Sequence, residues 1–138
     1  MMKKIALIFA VLISMFLLIA CDSITNTLKS GEEHTVTIGN PTPEEILEND
    51  QHADIFLLDG VVYQNAEKIE WVQKLDLTIG DKLGEIQKNS NESAAFDNYT
   101  ATKLPVGTVI YKSNENSGLI MIVMVENKII RYLGLVEG

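Results

Sequence analysis

The sequence of 138 residues predicts an α+β fold, mostly antiparallel β-sheet with one or two short helices. Two pairs of β-rich segments meet at tight turns, Asp59-Gly60 and Glu126-Asn127, which is the pattern of β-hairpins. The run Thr42-Pro43-Glu44-Glu45 starts a helix, because Thr42 can cap it, Pro43 suits its first position and Glu45 completes a capping box. Two hairpins and a capped helix together favour the α+β class.

The first part of the predicted domain combines a strand, a helix and a hairpin. Weak alternation over residues 34–38 predicts a first strand, and the capping box predicts a helix over Pro43–Asn49. Both arms of the first hairpin are almost continuously apolar, which indicates a hairpin covered on both faces. A short helix over residues 66–72 and a strand through Ile69 and Trp71 fit the next segment equally well, and both interpretations stay open.

The second part is predicted to consist mainly of strands separated by polar turns. Leu75, Leu77 and Ile79 alternate with polar residues, which predicts a half-buried strand that breaks at Gly80-Asp81. The remaining predicted segments are a continuation over 82–87, a polar loop over 89–93, an edge strand over 99–103, a turn over 104–107, a strand over 108–111, a loop over 113–118, a buried strand over 119–125 and a last strand over 128–133. The order of the strands in the sheet does not follow from the sequence.

A short apolar segment precedes this domain. Lys3 and Lys4 are followed by residues 5–20, which are all apolar except Ser14, and this pattern is typical of a secretory signal peptide. A transmembrane helix needs about 20 apolar residues, so this run is slightly short, and the polar residues that directly follow it form no cationic stop-transfer flank. We therefore interpret residues 1–20 as a signal peptide.

The residues at the end of this segment, Leu18-Ile19-Ala20-Cys21, resemble the lipobox of bacterial lipoproteins. The resemblance implies cleavage between Ala20 and Cys21, and diacylglycerol on the Cys21 thiol with a possible N-acyl chain on the same residue. No other cofactor is expected. Two acyl chains hold a protein firmly at a membrane. Labelled palmitate is the usual tracer for such chains. The implied location is the outer face of the cytoplasmic membrane, preferably in a Gram-positive bacterium.

The remainder of the chain resembles small surface lipoproteins of Gram-positive bacteria only in short pieces, residues 104–108 and Arg131-Tyr132-Leu133, and no site residue follows from them. Residues 22–33 are polar and lack periodicity. The sequence therefore predicts a lipidated cysteine and flexible tether over 21–33, followed by a single α+β domain over 34–138.

The predicted mature chain is strongly acidic. With Lys3 and Lys4 removed, nine of the eleven basic residues remain against nineteen acidic ones. This balance disfavours nucleic acid as a partner and favours cationic ligands, such as a basic peptide or a cationic protein surface. Because Cys21 is the one cysteine of the sequence, no disulfide and no thiol chemistry are predicted.

The sequence contains candidate chemical groups but no recognisable catalytic set. Its two histidines, His34 and His52, lie in polar segments, and no Gly-x-Ser-x-Gly motif accompanies them. Asp50, His52 and Asp54 alternate in one loop and could approach a cation, although the better prediction is a solvated loop without a metal. No catalytic residue and no metal ligand are therefore predicted.

Aromatic side chains are the remaining candidates for ligand binding. Trp71, Tyr63 and Tyr99 could line a groove, as aromatic residues often do. For Trp71 and Tyr111, however, packing in the core is the default expectation.

The function predicted from the sequence is that of a non-enzymatic binding or accessory module, anchored to the membrane and acting on cationic ligands or peptides. One alternative is a cell-envelope enzyme that uses carboxylates such as Asp54, Asp59 or Asp97. A further alternative is an envelope assembly or structural factor, which an exposed apolar patch or a free strand edge over residues 99–103 would favour.

Overall fold

The structure, a computed structural model, describes residues 39–137. The predicted signal peptide, lipobox cysteine Cys21, tether and strand over residues 34–38 all lie outside the described residues. The helices are α1 (Pro43–Asn49) and α2 (Glu70–Gln73), with one 3-10 turn over Ser93–Ala95. The strands are β1 (Ile55–Leu58), β2 (Val61–Asn65), β3 (Ile79–Glu85), β4 (Lys88–Asn89), β5 (Thr100–Ala101), β6 (Val109–Ser113), β7 (Ile120–Val125) and β8 (Lys128–Leu135).

Helix α1 forms where the sequence predicts it, because its first turn is closed by a complete capping box. The Thr42 hydroxyl accepts from the Glu45 amide at 3.3 Å, and a Glu45 carboxylate oxygen accepts from the Thr42 amide at 2.8 Å. This backbone hydrogen bond is the main reason that the pKa of Glu45 lies below its ordinary value. Leu47 is the buried side chain of the helix and packs against Ile55 and Val62.

Both predicted hairpins are confirmed. The φ angles of Asp59 and Gly60 are 49° and 77°, and those of Glu126 and Asn127 are 49° and 65°. Two consecutive positive φ angles are the requirement of a type I′ turn, whose twist matches that of the strands it joins. The turns join β1 to β2 and β7 to β8 in antiparallel register.

The eight strands form one sheet in the order β3-β6-β7-β8-β2-β1-β5-β4. All neighbours are antiparallel except β4 and β5, which are parallel. The sheet curls into a half-barrel, which confirms the α+β class with a mostly antiparallel sheet but not a purely antiparallel one. Its two edge strands, β3 and β4, are consecutive in the chain and separated only by Ile86 and Gln87.

Buried side chains pack on both faces of the β1–β2 hairpin, as its apolar sequence predicts. On one face Phe56 and Tyr63 stack with ring centroids 5.1 Å apart, and they join the main core that includes Tyr132. On the other face Ile55 and Val62 pack under α1.

Helix α2 covers a third cluster of apolar residues on the sheet. Val72, its buried side chain, packs with Ile120 and Leu133. The Arg131 guanidinium donates to the carbonyl oxygens of Val72 at 2.7 Å and Gln73 at 2.9 Å, and so closes the C-terminal end of the helix. Of the two interpretations left open for residues 66–72, a helix is the one adopted, although it begins only at Glu70.

Two predicted strands differ from the structure. The strand predicted to start at Leu75 starts at Ile79, because Leu75 and Leu77 alternate to pack on the α2 cluster and not to pair with a strand. It also does not break at Gly80-Asp81 as predicted, but continues to Glu85 with shifts in its register against β6. The strand predicted at an edge over residues 99–103 is reduced to β5 and is internal, with β1 on one side and β4 on the other.

Candidate functional site

Two neighbouring cavities form beside the C-terminal end of α1. The larger has a volume of about 560 Å³ and is lined by α1, its following loop and the 3-10 turn. The smaller has a volume of about 310 Å³ and is lined by that loop and the end of β2. His52 lines both cavities, so they are neighbours that share this residue. The carboxylates that line them are Glu44, Glu48 and Glu92 in the larger cavity and Asp50, Asp54 and Glu67 in the smaller one.

The loop between α1 and β1 is shaped by hydrogen bonds of Asp50. Its amide donates to the carbonyl of Ile46 at 2.9 Å, and its carboxylate accepts from the His52 amide at 2.9 Å. Its carbonyl accepts from the Ala53 amide at 3.0 Å, and Ala53 is buried under α1. An aspartate that bonds the amide two residues further on is a common turn device. The turn places His52 on the surface, where it lines both cavities.

Asp54 is held by two side chains from distant parts of the chain. The Tyr132 hydroxyl donates to Oδ1 of Asp54 at 2.8 Å, and the Asn65 side-chain amide donates to Oδ2 at 2.8 Å. Tyr132 is completely buried. Burial first, and then the negative charge of Asp54, raise the pKa of Tyr132 far above its ordinary value, so that its hydroxyl stays protonated. The phenol therefore acts as a permanent donor to this carboxylate.

The cavities lie in a part of the chain with an unusual charge distribution. Residues 39–67 contain seven acidic residues and neither lysine nor arginine. Among the described residues there are three ion pairs, and only one of them, Lys128–Glu67, involves a carboxylate of either cavity. The hydrogen bond from Lys128 is the main cause of the lowered pKa of Glu67. The other cavity carboxylates carry no neutralising partner in the described part of the chain, although Lys68 lines the smaller cavity.

The three aromatic residues predicted from the sequence lie elsewhere. Tyr63 is buried in the main core, whereas Trp71 is 55% exposed on α2, so the expectation that Trp71 packs in the core is wrong. Tyr99 has a φ of 66°, and its ring lies against Gly84 of β3. None of the three lines either of the two cavities.

The carboxylates considered for metal binding and catalysis are dispersed. Within residues 39–137 no three His, Cys, Asp or Glu side chains converge in a way that could hold a metal ion, and Asp50, His52 and Asp54 are no exception. Asp59 lies in the first hairpin turn, where its amide donates to the Asn98 side chain at 2.8 Å. Neither Asp59 nor Asp97 lines the cavity that contains Asp54. Each carboxyl group with a clear pKa shift, Glu45, Glu67 and Glu115, is shifted downward, which keeps it an anion.

The contact between Asp54 and Tyr132 could not be predicted from the sequence, because these residues lie 78 positions apart. The same holds for Glu92, which reaches the larger cavity from the start of the 3-10 turn. One signal was present in the sequence: the stretch between Lys29 and Lys68 contains no basic residue other than histidine.

Neither helix within residues 39–137 has the length and apolar character needed to cross a lipid bilayer. Comparison of the chain with protein-family models, with curated proteins and with solved structures found no match.

Proposed function

We propose that the protein is a lipid-anchored binding module of the cell surface that captures cationic ligands, basic peptides in particular, without catalysing a reaction. The observation that carries this proposal is the pair of acidic cavities that share His52, with five carboxylates that lack an ion-pair partner among the described residues. Their volumes of about 560 and 310 Å³ lie within the usual range of small-molecule binding pockets, about 300–1,000 Å³.

The expected binding is weak at each contact and cumulative over several. A single exposed ion pair contributes only about 0.2–1 kcal/mol. A concave surface lined by charges of one sign raises the local concentration of counter-ions and speeds their association. A peptide with several lysines could contact carboxylates of both cavities at once. Such binding must weaken with salt, because the screening length is about 8 Å at physiological ionic strength.

The anchor belongs to the proposal because it would hold the module at the membrane that cationic peptides approach. It is supported by the lipobox sequence Leu18-Ile19-Ala20-Cys21. We expect Cys21→Ser to leave an unprocessed precursor that incorporates no labelled palmitate, since the serine hydroxyl cannot replace the thiol as acceptor. Normal processing and labelling of this variant would refute the anchor.

The binding itself is tested by calorimetric titration of the chain, starting at Cys21 and without lipid, with hexalysine at low ionic strength. The variant Glu44→Gln/Glu48→Gln/Glu92→Gln removes three charges from the larger cavity while it keeps side-chain size. We expect its affinity to fall about tenfold, at roughly 0.5 kcal/mol for each lost ion pair. Asp76→Asn/Asp81→Asn/Glu126→Gln is the matched control, because these exposed residues line neither cavity.

The control should lose less than about threefold, since it changes only the long-range field of the protein. Equal losses in the two triple variants would mean that net charge, and not the cavities, attracts the peptide. Absence of hexalysine binding to the unmodified chain would refute the proposed function.

A further inference from the structure

Asp54 is held differently from the other carboxylates of the two cavities. Both of its oxygens accept hydrogen bonds at 2.8 Å, and both donors, the Tyr132 hydroxyl and the Asn65 amide, are neutral. Glu67 is instead paired with the Lys128 ammonium, and the Asp50 carboxylate accepts from a backbone amide of its own turn. Asp54 is therefore fixed in place without being neutralised by a cation.

The two donors leave part of Asp54 available. A carboxylate has about four acceptor positions, and one on each oxygen is occupied. Asp54 is half-buried and lines the smaller cavity together with Gln64. Neutral donors of fixed geometry orient a carboxylate while they preserve its full charge, and this is the arrangement that a charged hydrogen bond to a ligand requires.

Tyr132 makes this arrangement rigid. Its ring is buried in the main core and lies 5.0 Å from the ring of Phe56, so its hydroxyl cannot follow a displaced carboxylate far. Asn65 is itself held by two hydrogen bonds. Its backbone amide donates to the backbone carbonyl of Asp54 at 2.9 Å, and its side-chain oxygen accepts from the backbone amide of Glu67 at 2.8 Å. The support of Asp54 thus comes from β2 and β8 and not from the surface loop.

We propose that Asp54 binds a protonated primary amine on an alkyl chain, such as a lysine side chain, and that Tyr132 and Asn65 are the residues that position it. This inference rests on the proposed function and adds the class of ligand group to it. An ammonium has three donors, which can bond to the unoccupied acceptor positions of Asp54. The other charged or titratable groups that line this cavity are Asp50, His52, Glu67 and Lys68.

The test is calorimetric titration with hexalysine, and with hexalysine acetylated on every side chain, at two salt concentrations. Asp54→Asn should weaken hexalysine binding about tenfold, because a charged hydrogen bond is lost. Tyr132→Phe, which keeps the buried ring, should weaken it about threefold. The single control Asp76→Asn should change it less than twofold, and the acetylated peptide should not bind.

The salt dependence of hexalysine affinity distinguishes a residue that positions Asp54 from one that carries the charge. Tyr132→Phe removes no charge, so the salt dependence of its hexalysine affinity should equal that of the unmodified chain, whereas Asp54→Asn should show a weaker dependence. A merely structural Tyr132 would lower the free energy of unfolding in the phenylalanine variant without changing its affinity, and that result would overturn the inference. Should Asp54→Asn fail to fold, Tyr132→Phe alone decides the matter.

The failure of this inference is distinguishable from that of the proposed function. Unchanged affinity in Asp54→Asn and Tyr132→Phe, combined with a loss in the triple variant of the larger cavity, refutes the role of Asp54 and keeps capture of cations. No binding of hexalysine to the unmodified chain refutes both.

Discussion

The described chain divides into an acidic region, residues 39–67, and a mixed-charge region, residues 68–137, which use carboxylates in different ways. The mixed-charge region has nine acidic and eight basic residues, and the acidic region has seven and none. In the mixed-charge region several carboxylates pair within the fold: Glu70 pairs with Lys74 at 3.0 Å and Glu85 with Lys82 at 3.1 Å, whereas Glu92 lines the larger cavity. In the acidic region most of them line the two cavities instead.

Glu115 shows how far this structural use goes. Its carboxylate accepts from the Thr78 amide at 2.9 Å and from the Thr78 hydroxyl at 2.7 Å, and so joins the loop after β6 to the start of β3. An acidic composition alone therefore does not identify a binding surface. What matters is which carboxylates remain after hydrogen bonds and ion pairs within the fold are assigned.

First, we expect an added methyl group to lower the free energy of unfolding more in the mixed-charge region than in the acidic region. An added Cβ at Gly84 would lie 2.8 Å from Cζ of Tyr99, whereas at Gly39 it would meet nothing within 4 Å. We expect Gly84→Ala to lower the free energy of unfolding by about 1–3 kcal/mol, the usual cost of overpacking. Gly39→Ala, in the acidic region, should change it by less than about 0.5 kcal/mol. Urea denaturation of both variants measures this, and equal values would contradict the contact between β3 and Tyr99.

A second prediction concerns two neighbouring residues of α2. Val72 is completely buried and Trp71 is 55% exposed. Val72→Ala should cost about 1–2 kcal/mol through lost burial and an incompletely filled cavity. Trp71→Ala, the larger truncation, should cost less than about 1 kcal/mol. A greater loss of stability from Trp71→Ala than from Val72→Ala in urea denaturation would contradict the exposed position of the indole.

A third prediction uses pH to distinguish structural from surface carboxylates. Hydrogen bonds from Thr78 lower the pKa of Glu115 from 4.5 to about 2, so its anion stabilises the fold. A lowered pKa in the folded state gives stability that is complete above pH 4.5 and is lost as the pH falls through about 2. The unmodified chain should therefore be more stable than Glu115→Gln at pH 7, with a difference that shrinks below pH 4.5.

Glu44→Gln is the matched control for this measurement, because Glu44 is exposed at the larger cavity. Its free energy of unfolding at pH 7 should stay within about 0.5 kcal/mol of the unmodified chain. A gap between the unmodified chain and Glu115→Gln that persists unchanged to pH 2.5 would contradict the role assigned to the Glu115 anion.

The parts of the fold that the sequence predicted correctly are those fixed by local chemistry. Asp59-Gly60, Glu126-Asn127 and the Thr42–Glu45 capping box each satisfy their own backbone within a few residues. The strand predicted from Leu75 was wrong because alternation records burial on one side and not a hydrogen-bonded partner. The internal place of β5 depends on β1 and β4, which no short window of sequence contains.

The candidate site was predictable only in outline. The overall acidity and the loop that contains Asp50, His52 and Asp54 are visible in the sequence, and both recur at the cavities. The support of Asp54 by Tyr132 is not visible, because the two residues meet only when β8 pairs with β2. Likewise, Trp71 is a large apolar residue of a type that often packs in a core, but the four-residue helix α2 buries Val72 instead.

The most direct test of the account is the salt dependence of hexalysine affinity in three proteins: the unmodified chain, Glu44→Gln/Glu48→Gln/Glu92→Gln and Asp76→Asn/Asp81→Asn/Glu126→Gln. If the cavities capture the peptide, the affinity of the unmodified chain and of the control triple should fall steeply between about 20 and 150 mM salt, as screening shortens from roughly 20 to 8 Å. The cavity triple should bind about tenfold more weakly at low salt and respond less to its increase. Three indistinguishable salt curves would contradict the assignment of cation capture to the two cavities.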